Sequence, residues 1–170
     1  HLAYNWKDGK HMYDTAQRLG IPFLAGSSLP VTWRLPAKAL PMGRAMESAM
    51  GIGYGGAESY GFHAMETLQC VVERRKGGET GIAEVQAVKG QAIEVARKAG
   101  RWSMDLLLAA CRAAKLKVDS TTLPARLEQR ATFFLLRYRD GLQAAVAMLN
   151  GVGDQFATAV KVRGHAKPFA

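Results

Sequence analysis

An α+β domain is the fold class this sequence predicts. Helix-period segments dominate the earlier part of the chain. β-rich runs separated by hairpin-type dipeptides dominate its end. With 170 residues, 48% hydrophobic and 22% charged, the chain can bury one sizeable core without disulfides or a metal.

The first element is a helix over 5–19. Trp6, Met12, Tyr13, Ala16 and Leu19 recur at helical spacing, and Gly20 and Pro22 stop it. The apolar run 21–26 reads as a short buried strand. Residues 31–34 read as extended between Pro30 and Pro36, and 35–43 as a loop. A strand is expected over 45–54 and a helix over 57–75, closed by Gly77-Gly78. A strand over 82–88 follows, then helices over 91–99 and 103–114, the second capped by Ser103. Residues 115–130 are polar and stay unassigned. Strands over 133–138, 142–149 and 156–162, with turns at Asp140-Gly141 and Asn150-Gly151, predict a three-strand antiparallel meander joined by the strand at Ile82.

Composition excludes several function classes. The net charge of +9 is scattered, and its densest cluster, Arg74-Arg75-Lys76, complements a helix C-terminus. No basic stretch interleaves with stacking aromatics, so no nucleic-acid partner is expected. No apolar run reaches the roughly 20 residues of a membrane helix, and no signal-peptide pattern is present. A non-membrane, cytoplasmic protein is expected. Cys70 and Cys111 lack metal or redox spacing and read as free thiols. His1, His11 and His165 show no ligand spacing, and His63-x-x-Glu66 lacks a second motif, so no metal is expected.

Two motifs suggest chemistry. The run 51–56 satisfies G-x-G-x-x-G before a helix. However, the preceding strand carries Glu47 and Ser48, and no acid-ended strand follows about 20 residues on. A strand-to-helix turn is the expected role, and no nucleotide cradle. On the helix that follows, Tyr60, Ala64, Leu68 and Val71 form the expected buried stripe. His63 lies about 60° off it, on a flank shared with Ser59, Thr67 and Cys70. A histidine on such a flank is suited to proton transfer near neutral pH. Trp33-Arg34, fenced by prolines, suits an anion or sugar hydroxyl.

A glycine pair at a helix start, followed by an acid-x-x-x-His/Tyr pattern, resembles the Gfo/Idh/MocA oxidoreductase family. His63 fills the histidine or tyrosine position, Ser59 stands where the aspartate is usual, and the spacing is one residue shorter. The segments 5–19, 21–26 and Arg34-Leu35-Pro36 are similar to that family's last Rossmann helix, strand and Arg-x-Pro crossover. The resemblance implies two parts: 1–36 as the tail of a truncated Rossmann-like domain, and 37–170 as an α+β domain with an open-faced, mostly antiparallel sheet. It implies a substrate-side portion of a nicotinamide-dependent oxidoreductase for a sugar- or polyol-like substrate. His63 is then a proton-transfer or substrate-orienting group, and Arg34, Trp33, Ser59 and Tyr60 bind substrate. NAD or NADP is implied for the full-length protein and not for this chain alone, because the family's nucleotide fingerprint and the lysine of its Glu-Lys-Pro signature are not in it. The alternative is a non-catalytic relative that binds a ligand or partner.

The strand from Leu142 is apolar on both faces. One face is expected against the helix 57–75 and the other in a homo-oligomer interface.

Overall fold

The computed structural model describes residues 3–32 and 39–170. A helix, α1 (Trp6–Leu19), opens the chain. Asn5 caps it by accepting from the Asp8 N–H, and Gly20, with φ 64°, ends it. The expected strand over 21–26 does not form. That stretch pairs with nothing in the sheet, and Leu24 is 97% exposed. An apolar run makes a strand only where a ladder neighbour takes up its backbone groups. Leu29–Val31 is a 3-10 turn rather than the start of an extended segment. Trp33 and Arg34 lie outside the described residues.

The body of the molecule is a five-stranded sheet with helices on both faces. In chain order its elements are β1 (Met46–Gly53), α2 (Ala57–Val72), β2 (Ile82–Lys89), α3 (Gln91–Lys98), α4 (Met104–Ala113), α5 (Leu123–Arg130), β3 (Thr132–Tyr138), β4 (Gln143–Met148) and β5 (Ala157–Val162). The strand order is β2-β3-β4-β1-β5. β1 runs parallel to β4, and every other neighbouring pair is antiparallel. This is a mixed α+β fold with an open, mostly antiparallel sheet. β3 and β4 form the expected hairpin, with Gly141 at φ 87° in its turn.

The three-strand meander is a correction. β5 does not pair with β4, because β1 lies between them. β1 is buried on both faces from Ala49 to Gly53, as a central strand must be. Glu47 and Ser48, which argued against such a strand, sit at its open end. The unassigned segment 115–130 contains α5.

The two sheet faces are built differently. Ala49 and the two strand glycines of β1 face α2, which lies close to the sheet. A Cβ on Gly53 would stand 2.8 Å from Ala64 Cβ, and one on Gly51 would stand 3.4 Å from Leu68 Cβ. The buried stripe of α2 is Gly61, Ala64, Leu68 and Val72; Ala64 and Leu68 are as expected, while Gly61 and Val72 take the places expected for Tyr60 and Val71. On the opposite face, Met50, Ile52, Phe133, Leu135 and Ala147 pack under α3, α4 and α5. The bare second face expected for an oligomer is therefore covered within the chain. Ala145, Ala147 and Leu149 are buried there, against α4 and its neighbours. The open part of the sheet is instead the α2 side of β2, where Val85 is 61% exposed.

A polar clamp ties the end of α2 to the β3–β4 hairpin. Arg75 is 4% exposed; its Nε donates to Asp140 at 2.7 Å, and its other nitrogens donate to the Val72 carbonyl and to Thr80 Oγ1. The same guanidinium lies over the Tyr138 ring, whose hydroxyl donates to Gln69. The Arg74-Arg75-Lys76 cluster thus includes a buried structural arginine.

Candidate functional site

The first turns of α2 gather the polar and aromatic side chains of the candidate site. Gly55, at φ 76°, lets the chain fold back over the Tyr60 ring, which a Cβ there would meet at 2.7 Å. Gly56 starts the helix without a side-chain cap. From this start a row at i, i+4 spacing runs along one side of α2: Ser59, His63, Thr67 and Val71.

His63 is partly exposed. Its Nδ1 lies 2.7 Å from Ser27 Oγ. The Ser27 oxygen also accepts the Leu29 N–H, at 3.1 Å, which fixes it in the turn before the 3-10 segment. A hydroxyl can donate one proton and still accept, so Ser27 serves either neutral tautomer of the ring. The other ring nitrogen, Nε2, has no hydrogen-bond partner among the described residues. Thr67 donates to the His63 carbonyl at 2.8 Å, one turn on.

Aromatic rings surround the imidazole. Tyr60 stands edge-on to it at 6.1 Å and stacks with Phe156 at 6.4 Å. Tyr54 contacts both Tyr60 and Phe156, and Phe62 lies 5.7 Å from His63. Tyr60, expected in the buried stripe and as a substrate contact, is 40% exposed and forms part of this wall. A cavity of about 620 Å³ opens further along the same side of α2. Thr67 and Val71 line it, as do Phe156, Leu116 and Lys115, the one non-glycine residue at positive φ among those described. His63 lies one turn before this lining and is not part of it.

Of the predicted site residues, the structure brings His63 and Tyr60 together and places Ser59, exposed, one turn before His63. Trp33 and Arg34 lie outside the described residues. Ser27, Tyr54 and Phe156 join the site although their sequence positions did not point to it. Ser27 and His63 are 36 residues apart in the chain.

The glycine run does not fit a dinucleotide. Gly51 and Gly53 lie inside β1 and are spent on close approach of α2, with Ala64, Phe156 and Met148 around Gly53. A pyrophosphate cradle needs open backbone at that point. Among the described residues no three His, Cys, Asp or Glu side chains come together as a metal site. Cys70 and Cys111 form no disulfide, and burial pushes the Cys111 thiol up to about 11. Among the described residues no helix is long and apolar enough to cross a membrane.

Comparison with family models, with curated proteins and with solved structures gives no match to this chain.

Proposed function

We propose that this chain is the substrate-side portion of an NAD(P)-dependent oxidoreductase acting on a sugar- or polyol-like substrate, with His63 as its proton-transfer group. The observation that carries this reading is the Ser27–His63 pair at the start of α2, with Nε2 on the ring side opposite Ser27 and without a hydrogen-bond partner among the described residues. Holding one imidazole nitrogen on a hydroxyl orients the other toward a substrate O–H, and the hydroxyl adapts as the proton moves. Nε2 takes the proton of the reacting hydroxyl while Nδ1 gives its own proton to the hydrogen bond with Ser27. Tyr60 and Tyr54 supply an amphipathic wall of the sort that lines small-molecule sites. Ser59, Trp33 and Arg34 complete the proposed substrate contacts. The nicotinamide cofactor is held by polypeptide outside this chain, since the glycine run is used for packing, and residues 1–36 belong to that neighbouring domain. The exposed apolar side chains of α1 and of the stretch after it support that assignment.

The test is turnover by the intact polypeptide with a panel of sugars and polyols and either nicotinamide cofactor. His63→Asn is expected to lower kcat by about 100-fold or more, the usual loss of a general base. Ser27→Ala is expected to shift the pH profile and to lower kcat less. Equal turnover with and without His63 sinks the assignment. Sugar binding without any turnover supports a non-catalytic relative instead.

A further inference from the structure

Each of the five strands brings one polar residue to a single row across the open end of the sheet. Glu84 stands opposite Arg137, Arg137 opposite Gln143, Gln143 beside Ser48, and Ser48 opposite Lys161. Each lies an even number of places along its strand from a core residue under α3, α4 and α5, so all five side chains are on that face. The next row in holds Leu135, Ala145, Met50 and Ala159, all apolar and buried.

The ends of the row are satisfied and its middle is not. Glu84 accepts from Arg137 Nε at 3.1 Å and from Arg101 Nη2, in the α3–α4 turn, at 3.2 Å. Lys161 Nζ donates to the His165 carbonyl at 2.9 Å. Between them, Gln143 Oε1 is buried without a partner. Neither the rest of that amide nor the Ser48 hydroxyl makes a side-chain hydrogen bond among the described residues. Turning the amide over exchanges one orphaned atom for another, and a buried polar atom of this kind calls for a partner. A cavity of about 370 Å³ lies over these two residues. Ser48 and Gln143 form its floor; residues 100–106, from the α3–α4 turn into the first turn of α4, form its roof. Trp102 pins the roof: its Nε1 donates to the Ile93 carbonyl at 2.9 Å and its ring packs on Phe133. Charge around the space is matched. Arg97 pairs with Glu94, Arg101 and Arg137 share Glu84, and Asp105 adds a carboxylate to the lining. With its arginines already engaged, the cavity selects a neutral hydrogen-bonding ligand rather than an anion.

We propose that this cavity is a second binding site, for a small neutral molecule with neighbouring hydroxyls, a monosaccharide or a cyclitol. A carboxamide presents an acceptor and a donor group side by side, and two adjacent hydroxyls satisfy it, one giving and one receiving. Ser48, on the neighbouring strand about 4.8 Å away, reaches the next hydroxyl, and Asp105 accepts from the roof. The volume is at the small end for ligand sites and suits a single ring. The site is on the sheet face opposite α2, so it is separate from His63 and does not rest on the role given to that residue.

Two-dimensional NMR of the 170-residue chain, titrated with myo-inositol, tests the proposal. Cyclohexanol, which has the ring but no neighbouring hydroxyls, is the control. Inositol is expected to shift the Gln143 side-chain amide and the backbone amides of residues 100–106 along one saturating curve, with Kd on the order of 1 mM. Ala64 and Leu68 of α2 are expected to stay in place. Gln143→Met keeps the length of the side chain and removes the amide. It is expected to weaken inositol binding by about 10-fold or more, and to leave the thermal midpoint unchanged or higher, since an unpartnered buried polar atom is gone. His63→Asn is expected to leave the titration as it was, so a failed turnover assay and a failed titration are told apart. The proposal is overturned by the absence of a saturable shift, by an equal response to cyclohexanol, or by inorganic phosphate moving the same amides at lower concentration. Inositol binding that survives Gln143→Met overturns it too. So does a lower thermal midpoint in that variant, which makes the amide a structural group.

Discussion

α1 and α2 are amphipathic helices of 14 and 16 residues with opposite fates. In α2 the buried positions are Gly61, Ala64, Leu68 and Val72, and each meets the sheet. In α1 only Ala16 is buried; Trp6 is 81% and Leu19 57% exposed, and the Tyr13 ring, 54% exposed, meets Phe23 edge to face at 6.5 Å. The difference lies in what faces each helix. β1 presents Ala49, Gly51 and Gly53 to α2, and small side chains on both elements let the backbones approach. No comparable surface among the described residues meets α1. Amphipathicity marks a helix that can be buried; complementary shape in a partner decides whether it is.

The contrast is broken most strongly at the α2 seam. Gly53→Val places a branched side chain where a Cβ alone stands 2.8 Å from Ala64, and Leu68→Ala empties a fully buried site. Each is expected to cost about 3 kcal/mol in urea unfolding. A loss below about 1 kcal/mol for both means the seam is looser than described.

A smaller effect is expected at the clamp. The hydrogen bond from Arg75, reinforced by its charge, holds the Asp140 carboxyl below the ordinary carboxylate value. Because the folded value is the lower one, the associated stability is present above the unfolded value of about 4 and is lost as pH falls through the folded value. Asp140→Asn is expected to cost about 1 kcal/mol at neutral pH and to flatten the acid limb of stability against pH. An unchanged acid limb means Arg75 is neutralised by other means.

The smallest effect is expected at α1. Trp6→Ser changes the unfolding free energy of the 170-residue chain by less than about 0.5 kcal/mol, since an exposed side chain loses no packing. In a longer polypeptide whose neighbouring domain covers α1, the same substitution is expected to cost more than about 1 kcal/mol. Equal, small costs in both settings argue against the assignment of residues 1–36 to such a domain.

By itself the sequence determined what is local. The helical periods of α1, α2 and α4, the β-rich run of β3 and the Asp140-Gly141 turn all appear close to where they are expected. These signals arise from contacts and caps a few residues apart. Tertiary structure alone decided the insertion of β1 between β4 and β5, the covering of both sheet faces, and the failure of 21–26 to become a strand. The Asn150-Gly151 turn suggested a β4–β5 hairpin, but a turn signal cannot tell which edge the next strand will join. Glycines that read as a loop motif proved to be the surface on which α2 rests. His63 was legible as a flank histidine near a helix start. Its partner Ser27 was not, because a hydrogen bond across 36 residues has no period or spacing in the chain and exists only once packing brings the two side chains together.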